Sequence, residues 1–152
     1  SLSRHGLDDA LRDVARREVP LLAICIGCQV IFDRSDEDGG TACLGLFPGS
    51  VKRFEFPPGV RRKIPHMGWN EVRIIADHPA LADVPAGSQL YFVHSYHVVP
   101  EDESVVLGTT TYGGVEFPAI VGRGSILALQ FHAEKSGPVG LGIIASFLRS
   151  SQ

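Results

Sequence analysis

Two cysteines three residues apart, Cys25 and Cys28, lie in the apolar stretch LLAICIGCQVI at residues 21–31. Such a pair could be a redox couple, half of a zinc site, or one nucleophile beside an ordinary neighbour. The apolar run that ends at Cys25 is typical of a buried strand, and the residues after it have helical character. A cysteine at such a turn can act as a nucleophile, because the helix N-terminus stabilises the thiolate and lowers the pKa of the thiol.

Small residues stand two positions before and after Cys25, namely Ala23 and Gly27. A sharp turn needs small neighbours there, and the backbone N–H that follows the nucleophile, that of Ile26, can then donate to an oxyanion. On this stretch alone a buried structural cysteine remains an alternative, and so does redox chemistry by the two cysteines. A zinc site would need a second pair of ligands, which Cys43 and the scattered histidines do not supply at standard spacing. We therefore expect no metal.

A histidine and a glutamate two positions apart, His132 and Glu134, follow a strand-like run at residues 125–131. In extended backbone, side chains two residues apart point the same way, so the carboxylate of Glu134 can accept the Nδ1–H of His132. The other ring nitrogen is then free to take a proton from Cys25, as in a catalytic triad. His132 taken alone could be structural, but together with the upstream cysteine it indicates a nucleophile and its base.

The elements that must position these residues predict an α/β domain. An amphipathic helix precedes Pro20, and a last helix opens at Pro138, where proline suits a first turn. Alternating or β-branched segments predict strands at residues 50–54, 69–74, 89–99, 105–111, 118–121 and 125–131. The strand that ends at Cys25 lacks alternation, which is typical of a strand covered on both faces. We predict that the central sheet of this domain is extended by antiparallel strands.

Length and composition favour one domain over residues 1–152, since 152 residues that are 44% hydrophobic can bury a core. A net charge of -3 without clustered Lys or Arg argues against a nucleic-acid or anionic-membrane partner. No apolar run reaches the roughly 18 residues of a membrane-spanning helix. Residues 1–20 are charged throughout and do not resemble a secretory signal, so we expect a cytoplasmic protein whose three cysteines stay reduced.

Four motifs together resemble the class I, or triad, glutamine amidotransferases. In the order of that family they are AICIGCQ at residues 23–29, PHMGWN at 65–70, YFVHSY at 91–96 and QFHAEKSG at 130–137. Within the class, PHMGWN is the most discriminating motif and is similar to that of the glutaminase subunits of imidazole glycerol phosphate synthase, in histidine biosynthesis. Family members begin with a strand, a helix and a second strand that leads into a Gly-rich oxyanion loop. None of these precedes Ser1, so we expect a domain that is N-terminally incomplete.

The resemblance implies a flavodoxin-like amidotransferase fold, with a central, mostly parallel sheet, helices on both faces and an antiparallel extension. It also implies the hydrolysis of L-glutamine to glutamate and ammonia. Cys25 would form a thioester with the substrate, His132 would transfer the proton, and Glu134 would hold His132. No cofactor is implied. The positions that match substrate contacts are Gln29, Ser95 and Tyr96.

The resemblance also implies a heterodimer with a (β/α)8-barrel cyclase subunit that consumes the ammonia. The positions at or near that interface are Pro65, His66, Met67, Gly68, Trp69, Asn70, Tyr96 and Lys135. From the residues alone, Met67 and Trp69 could instead be core, and His66 could be structural. Two alternatives stay open: a glutaminase subunit of an anthranilate- or guanylate-type synthase, and a truncated docking subunit with weak catalysis.

Overall fold

A computed structural model describes residues 6–152 of the chain. The α-helices are α1 (Leu7–Arg16), α2 (Ile26–Val30) and α3 (Gly137–Ser150). The strands are β1 (Leu21–Ile24), β2 (Arg34–Ser35), β3 (Thr41–Ala42), β4 (Gly49–Arg53), β5 (His66–Glu71), β6 (Arg73–Ile74), β7 (Gln89–His94), β8 (Tyr96–Pro100), β9 (Val106–Tyr112), β10 (Val115–Arg123) and β11 (Ile126–Leu129). The predicted first and last helices are confirmed, although residues 1–5 of the first lie outside the described residues. None of the described helices is long and apolar enough to span a membrane.

The central sheet has five strands in the order β1–β11–β10–β9–β6. β1 and β11 are parallel, whereas the other three pairs are antiparallel. The α/β class is confirmed, but parallel pairing in the described residues is limited to one of these four pairs, less than the family resemblance implies. The reason is the connections: β9, β10 and β11 follow each other through two-residue turns, which join antiparallel strands, whereas parallel strands need a long crossover.

Helices cover both faces of the parallel pair, as the sequence predicts. On one face, α3 packs Ile143 and Phe147 into a core cluster that includes alternate residues of β1 and β11. The opposite face packs against α1 and α2, through Leu11 and the fully buried Cys28. Because both faces of β1 are covered, its sequence shows no polar alternation.

The prediction of one continuous strand at residues 89–99 is wrong. β7 pairs with β5 to form a two-stranded ribbon, and β8 pairs with β4 in a separate four-stranded sheet, so the chain changes sheets at Ser95. Both halves are aromatic and β-branched, and such a composition does not show where a strand leaves one sheet for another. The break has a consequence for the site, because it brings the end of β7 against the turn that follows β1.

Candidate active site

Cys25 occupies the turn between β1 and α2 with backbone angles of φ 55° and ψ −108°. These angles are strained for a residue other than glycine, and such strain is concentrated at functional sites. The turn is held by the N–H of Cys25, which donates to the carbonyl of Leu129 at 2.8 Å. It is also crowded, because a methyl group on Gly27 would lie 3.2 Å from the Cβ of Ala23. The predicted sharp turn with small residues on both sides of the cysteine is therefore present.

The thiol of Cys25 is half-buried, and its Sγ donates to the carbonyl of Val93 at 3.8 Å. Burial raises the pKa of this thiol, the N–H of Ile26 lowers it, and the charges of Glu134 and Lys135 raise and lower it respectively. The raised pKa contradicts the sequence-based expectation, because desolvation outweighs the contribution of a helix only five residues long. A base must therefore take the proton when the sulfur reacts.

Cys28 has a different environment. It lies on α2 and is fully buried in the core cluster that α1 also contacts, and burial raises the pKa of its thiol. A protonated, inaccessible thiol is a poor redox partner and a poor metal ligand. Within residues 6–152, no three or more His, Cys, Asp or Glu side chains are grouped in a way that could hold a metal ion. The location of Cys28 thus favours a packing role.

His132 lies just after β11, the parallel neighbour of β1, so it follows the same edge of the sheet as Cys25. Its Nδ1 is 2.6 Å from Oε1 of Glu134. The contact is the expected one, but the backbone is not extended, since Ala133–Lys135 forms one turn of 3-10 helix. Burial raises the pKa of Glu134, but the hydrogen bond from His132, a backbone hydrogen bond and the charges of His132 and Lys135 together outweigh burial and hold that pKa below its usual range. The carboxylate is therefore ionised and can orient the ring.

Gln29 lies one helical turn after Cys25 and is buried. Its Nε2 donates to the carbonyl of Tyr96 at 3.0 Å and to Oε1 of Gln130 at 3.1 Å. Of the other predicted substrate residues, Tyr96 offers this carbonyl while its ring packs against the core, and Ser95 lies at the bend between β7 and β8. Sequence reasoning assigned no role to Gln130, whose complete burial is visible only in the folded chain.

Four of the predicted partner-contact residues are exposed, namely Pro65, Met67, Trp69 and Lys135. Met67 and Trp69 point outward from β5 and are 62% and 56% exposed, which is unusual for such large apolar side chains. The ring of Tyr91, on β7, contacts the Trp69 ring edge-on at a centroid distance of 5.9 Å. Tyr91 was missed as a member of this surface, because only strand pairing shows that it stands opposite Trp69.

The remaining PHMGWN residues are not freely exposed. His66 is 3% exposed, and its Nδ1 is 3.0 Å from Nε2 of His94. Asn70 reaches His66 Nε2 at 3.3 Å, and Gly68 between them has a φ of 130°. Burial lowers the pKa of His66 to about 4 and that of His94 to about 3, so both rings are neutral at pH 7. The side chain of His66 therefore lies inside the domain.

The family model of the class I glutamine amidotransferases matches residues 3–150. A crystal structure of a glutamine amidotransferase covers 99% of this chain and 70% of its own with a TM-score of 0.64 at 19% identity. The structure of PurLQS from Thermotoga maritima gives a TM-score of 0.69 at 16% identity over 96% of this chain and 68% of its own. At such identities these structures show the fold alone. The chain belongs to the class I glutamine amidotransferases.

More similar relatives narrow the family. The imidazole glycerol phosphate synthase subunit HisH of Moorella thermoacetica is 48% identical over 147 residues, which are 97% of this chain and 68% of the relative. HisH of Dehalococcoides mccartyi strain CBDB1 is 45% identical over 148 residues, again 97% of this chain and 70% of the relative. Within the amidotransferase class, the chain belongs to the HisH family.

Proposed function

We propose that this chain is a glutaminase subunit that hydrolyses L-glutamine to glutamate and ammonia at Cys25, His132 and Glu134. The observation that carries the proposal is the pairing of β1 with β11. Those two parallel strands end in a strained cysteine turn and in a histidine hydrogen-bonded to a carboxylate. A nucleophile, a base and an orienting group at one sheet edge are what acyl transfer from an amide requires.

The chemistry follows from the protonation states. His132 takes the thiol proton as Sγ of Cys25 attacks the side-chain amide carbon, and the developing oxyanion accepts a hydrogen bond from the N–H of Ile26. Collapse of the tetrahedral intermediate breaks the C–N bond, and the nitrogen leaves as ammonia with the proton from His132. Water then gives a proton to His132 and attacks the thioester, which releases glutamate and restores the thiol. Glu134 stabilises the imidazolium form of His132 both when the thioester forms and when it is hydrolysed.

We also propose that the ammonia passes to a (β/α)8-barrel cyclase subunit that forms imidazole glycerol phosphate and docks on Met67, Trp69, Tyr91 and Lys135. Neighbouring exposed apolar side chains mark interaction surfaces, and Trp and Tyr are common anchors of interfaces. The names of the HisH relatives as synthase subunits support a partner of this kind.

The free thiols of the described structure support a cytoplasmic, reducing location.

The experiment compares two cysteine variants, each assayed for glutamate release in the presence of the cyclase subunit. Cys25→Ala should abolish turnover, because no other group can form the thioester. Cys43→Ala is the matched control, since Cys43 is also free and partly exposed but lies away from the site, and it should retain wild-type turnover. Glutamate release that survives Cys25→Ala would refute the proposed function.

A further inference from the structure

A fully buried amide, that of Gln130, stands beside the proposed glutamine pocket, which we define by the predicted substrate residues Gln29, Ser95 and Tyr96. Its Oε1 accepts from Gln29, whereas its Nε2 has no hydrogen-bond partner among the described residues. A buried donor without a partner is unfavourable, and an apolar side chain would avoid that cost. The amide therefore needs an explanation at this position, and its contact with Gln29 offers one.

The orientation of both amides follows from the carbonyl of Tyr96. A carbonyl oxygen can only accept, so the group of Gln29 that lies 3.0 Å from it must be the Nε2. The second hydrogen of that Nε2 requires another acceptor, which is Oε1 of Gln130. Rotating either amide by 180° would set two acceptors or two donors against each other. With both Nε2 hydrogens used, Oε1 is the atom that Gln29 can offer to a ligand.

The carbonyl of Tyr96 is itself held by the buried histidine pair. Nδ1 of His94 lies 2.7 Å from this carbonyl and must carry a hydrogen. Nε2 of the neutral His94 ring is then an acceptor, and it faces Nδ1 of His66, which must also carry its hydrogen. Asn70 donates to the remaining nitrogen of His66. One tautomer of each ring satisfies every contact of this series.

We propose that Gln130 and His94 are positioning residues that hold the amide of Gln29 with its Oε1 towards the substrate. The proposal rests on the proposed function. Bound L-glutamine places its carboxamide at Cys25, so the hydrogen-bond donor that remains to the substrate is its α-ammonium group. Gln29 Oε1 accepts from that ammonium, and the site thereby distinguishes L-glutamine from glutaramate, the same molecule without its amino group.

The test uses Gln130→Leu, which puts an apolar side chain of similar size in place of the amide and so removes the acceptor for Gln29. Dissociation constants for L-glutamine and glutaramate are measured by calorimetry on the complex with the cyclase subunit, in a Cys25→Ser background that prevents turnover. Gln130→Leu should weaken L-glutamine binding about tenfold or more, because a hydrogen bond to a charged group is lost. Glutaramate binding should change less than about twofold.

The matched control is Thr110→Val, which removes another buried hydrogen bond, to the carbonyl of Glu71, outside the pocket. It should change neither dissociation constant. Equal losses for both ligands in Gln130→Leu would mean a general structural role and would overturn the proposal, as would no loss for either. If the Cys25→Ser protein with Gln130 intact bound neither ligand, that result would refute the proposed function, and this inference with it.

A second measurement needs no variant. Nitrogen-15 spectra of the histidine rings at pH 7 should show neutral His94 and His66, both with the hydrogen on Nδ1. A hydrogen on Nε2 of His94 would remove the donor to Tyr96 and overturn the proposed positioning, whatever the binding data show.

Discussion

At the scale of single residues, the site depends on Cys25 keeping an unfavourable backbone conformation. Angles of this kind cost about 1–3 kcal/mol for a residue with a side chain, and they persist only where neighbours enforce them. Here the enforcement comes from the hydrogen bond to Leu129 and from the close approach of Gly27 to Ala23. The thiol of the proposed nucleophile is thus held by contacts that make no direct contribution to its chemistry.

This close approach predicts that Gly27→Ala destabilises the protein. The new methyl would lie 3.2 Å from the Cβ of Ala23, closer than ordinary contact, so the free energy of unfolding should fall by about 1 kcal/mol. Gly142→Ala is the control, because its methyl would meet nothing within 4 Å on α3, and it should raise stability by about 0.4–1 kcal/mol.

Urea denaturation measures both effects. A double variant, Ala23→Gly with Gly27→Ala, should recover most of the loss, since the two methyl groups then no longer meet. If Gly27→Ala cost the same free energy in the wild-type background and in the Ala23→Gly background, the contact would not be its cause.

At the scale of elements, the β5–β7 ribbon has one exposed face and one buried face. Its outer side exposes Met67 and Trp69, whereas its inner side buries His66 directly opposite His94 in the strand pairing. The alternation of a strand makes this division possible, because successive side chains point to opposite faces. The ribbon therefore carries both the proposed docking surface and the ring pair whose His94 contacts the carbonyl of Tyr96.

The buried ring pair predicts that stability falls in mild acid. The pKa values of His66 and His94, about 4 and about 3, lie below the 6.5 of an unfolded histidine, so between these values the unfolded chain binds more protons than the folded one. Stability is complete above pH 6.5 and is lost as the pH falls towards 4. Each ring contributes a slope of up to about 1.4 kcal/mol per pH unit.

Urea midpoints measured from pH 7.5 to 4.5 should show this slope. His66→Gln keeps a donor for His94 but does not titrate. The stability of this variant should therefore fall less steeply with pH than that of the wild type, by about the contribution of one ring. The pH 7.5 values, where neither ring is charged, provide the reference for each protein. If stability fell with pH at the same slope in the wild type and in His66→Gln, the titration of His66 would not be a cause of the loss.

At the scale of the whole molecule, the proposed docking surface and the nucleophile are one strand apart. Val93 of β7 pairs with Met67 of β5, and the same Val93 accepts the hydrogen bond from the Cys25 thiol. Ammonia released at the proposed nucleophile Cys25 would therefore form next to the ribbon on which we propose that the cyclase docks. A partner seated there would exclude water from the short path between them.

This arrangement predicts that Trp69→Ala weakens binding of the cyclase subunit without unfolding the chain. An interface tryptophan of this kind contributes about 2 kcal/mol or more, which corresponds to roughly a 30-fold rise in the dissociation constant. Because Trp69 is 56% exposed, the urea midpoint should hardly move. Leu148→Ala is the control, since Leu148 on α3 is 58% exposed and lies outside the ribbon.

Titration calorimetry with the purified cyclase subunit measures both variants. Wild-type affinity in Trp69→Ala would place the docking surface elsewhere, and weakened binding in both variants would point to a general effect on the fold. Only a loss confined to Trp69→Ala supports docking on the ribbon.

The sequence by itself determined the features that depend on neighbours along the chain. These are the helix before Pro20, the strand and helix on either side of Cys25, and the contact of His132 with Glu134 two residues on. Tertiary structure alone decided the change of sheet at Ser95 and the raised pKa of the Cys25 thiol. It also decided the place of Gln130, which meets Gln29 across 101 positions of the chain. The physical reason is distance along the chain. Periodicity and spacing report on neighbours within a few residues, whereas burial and hydrogen-bond partners depend on segments that only folding brings together.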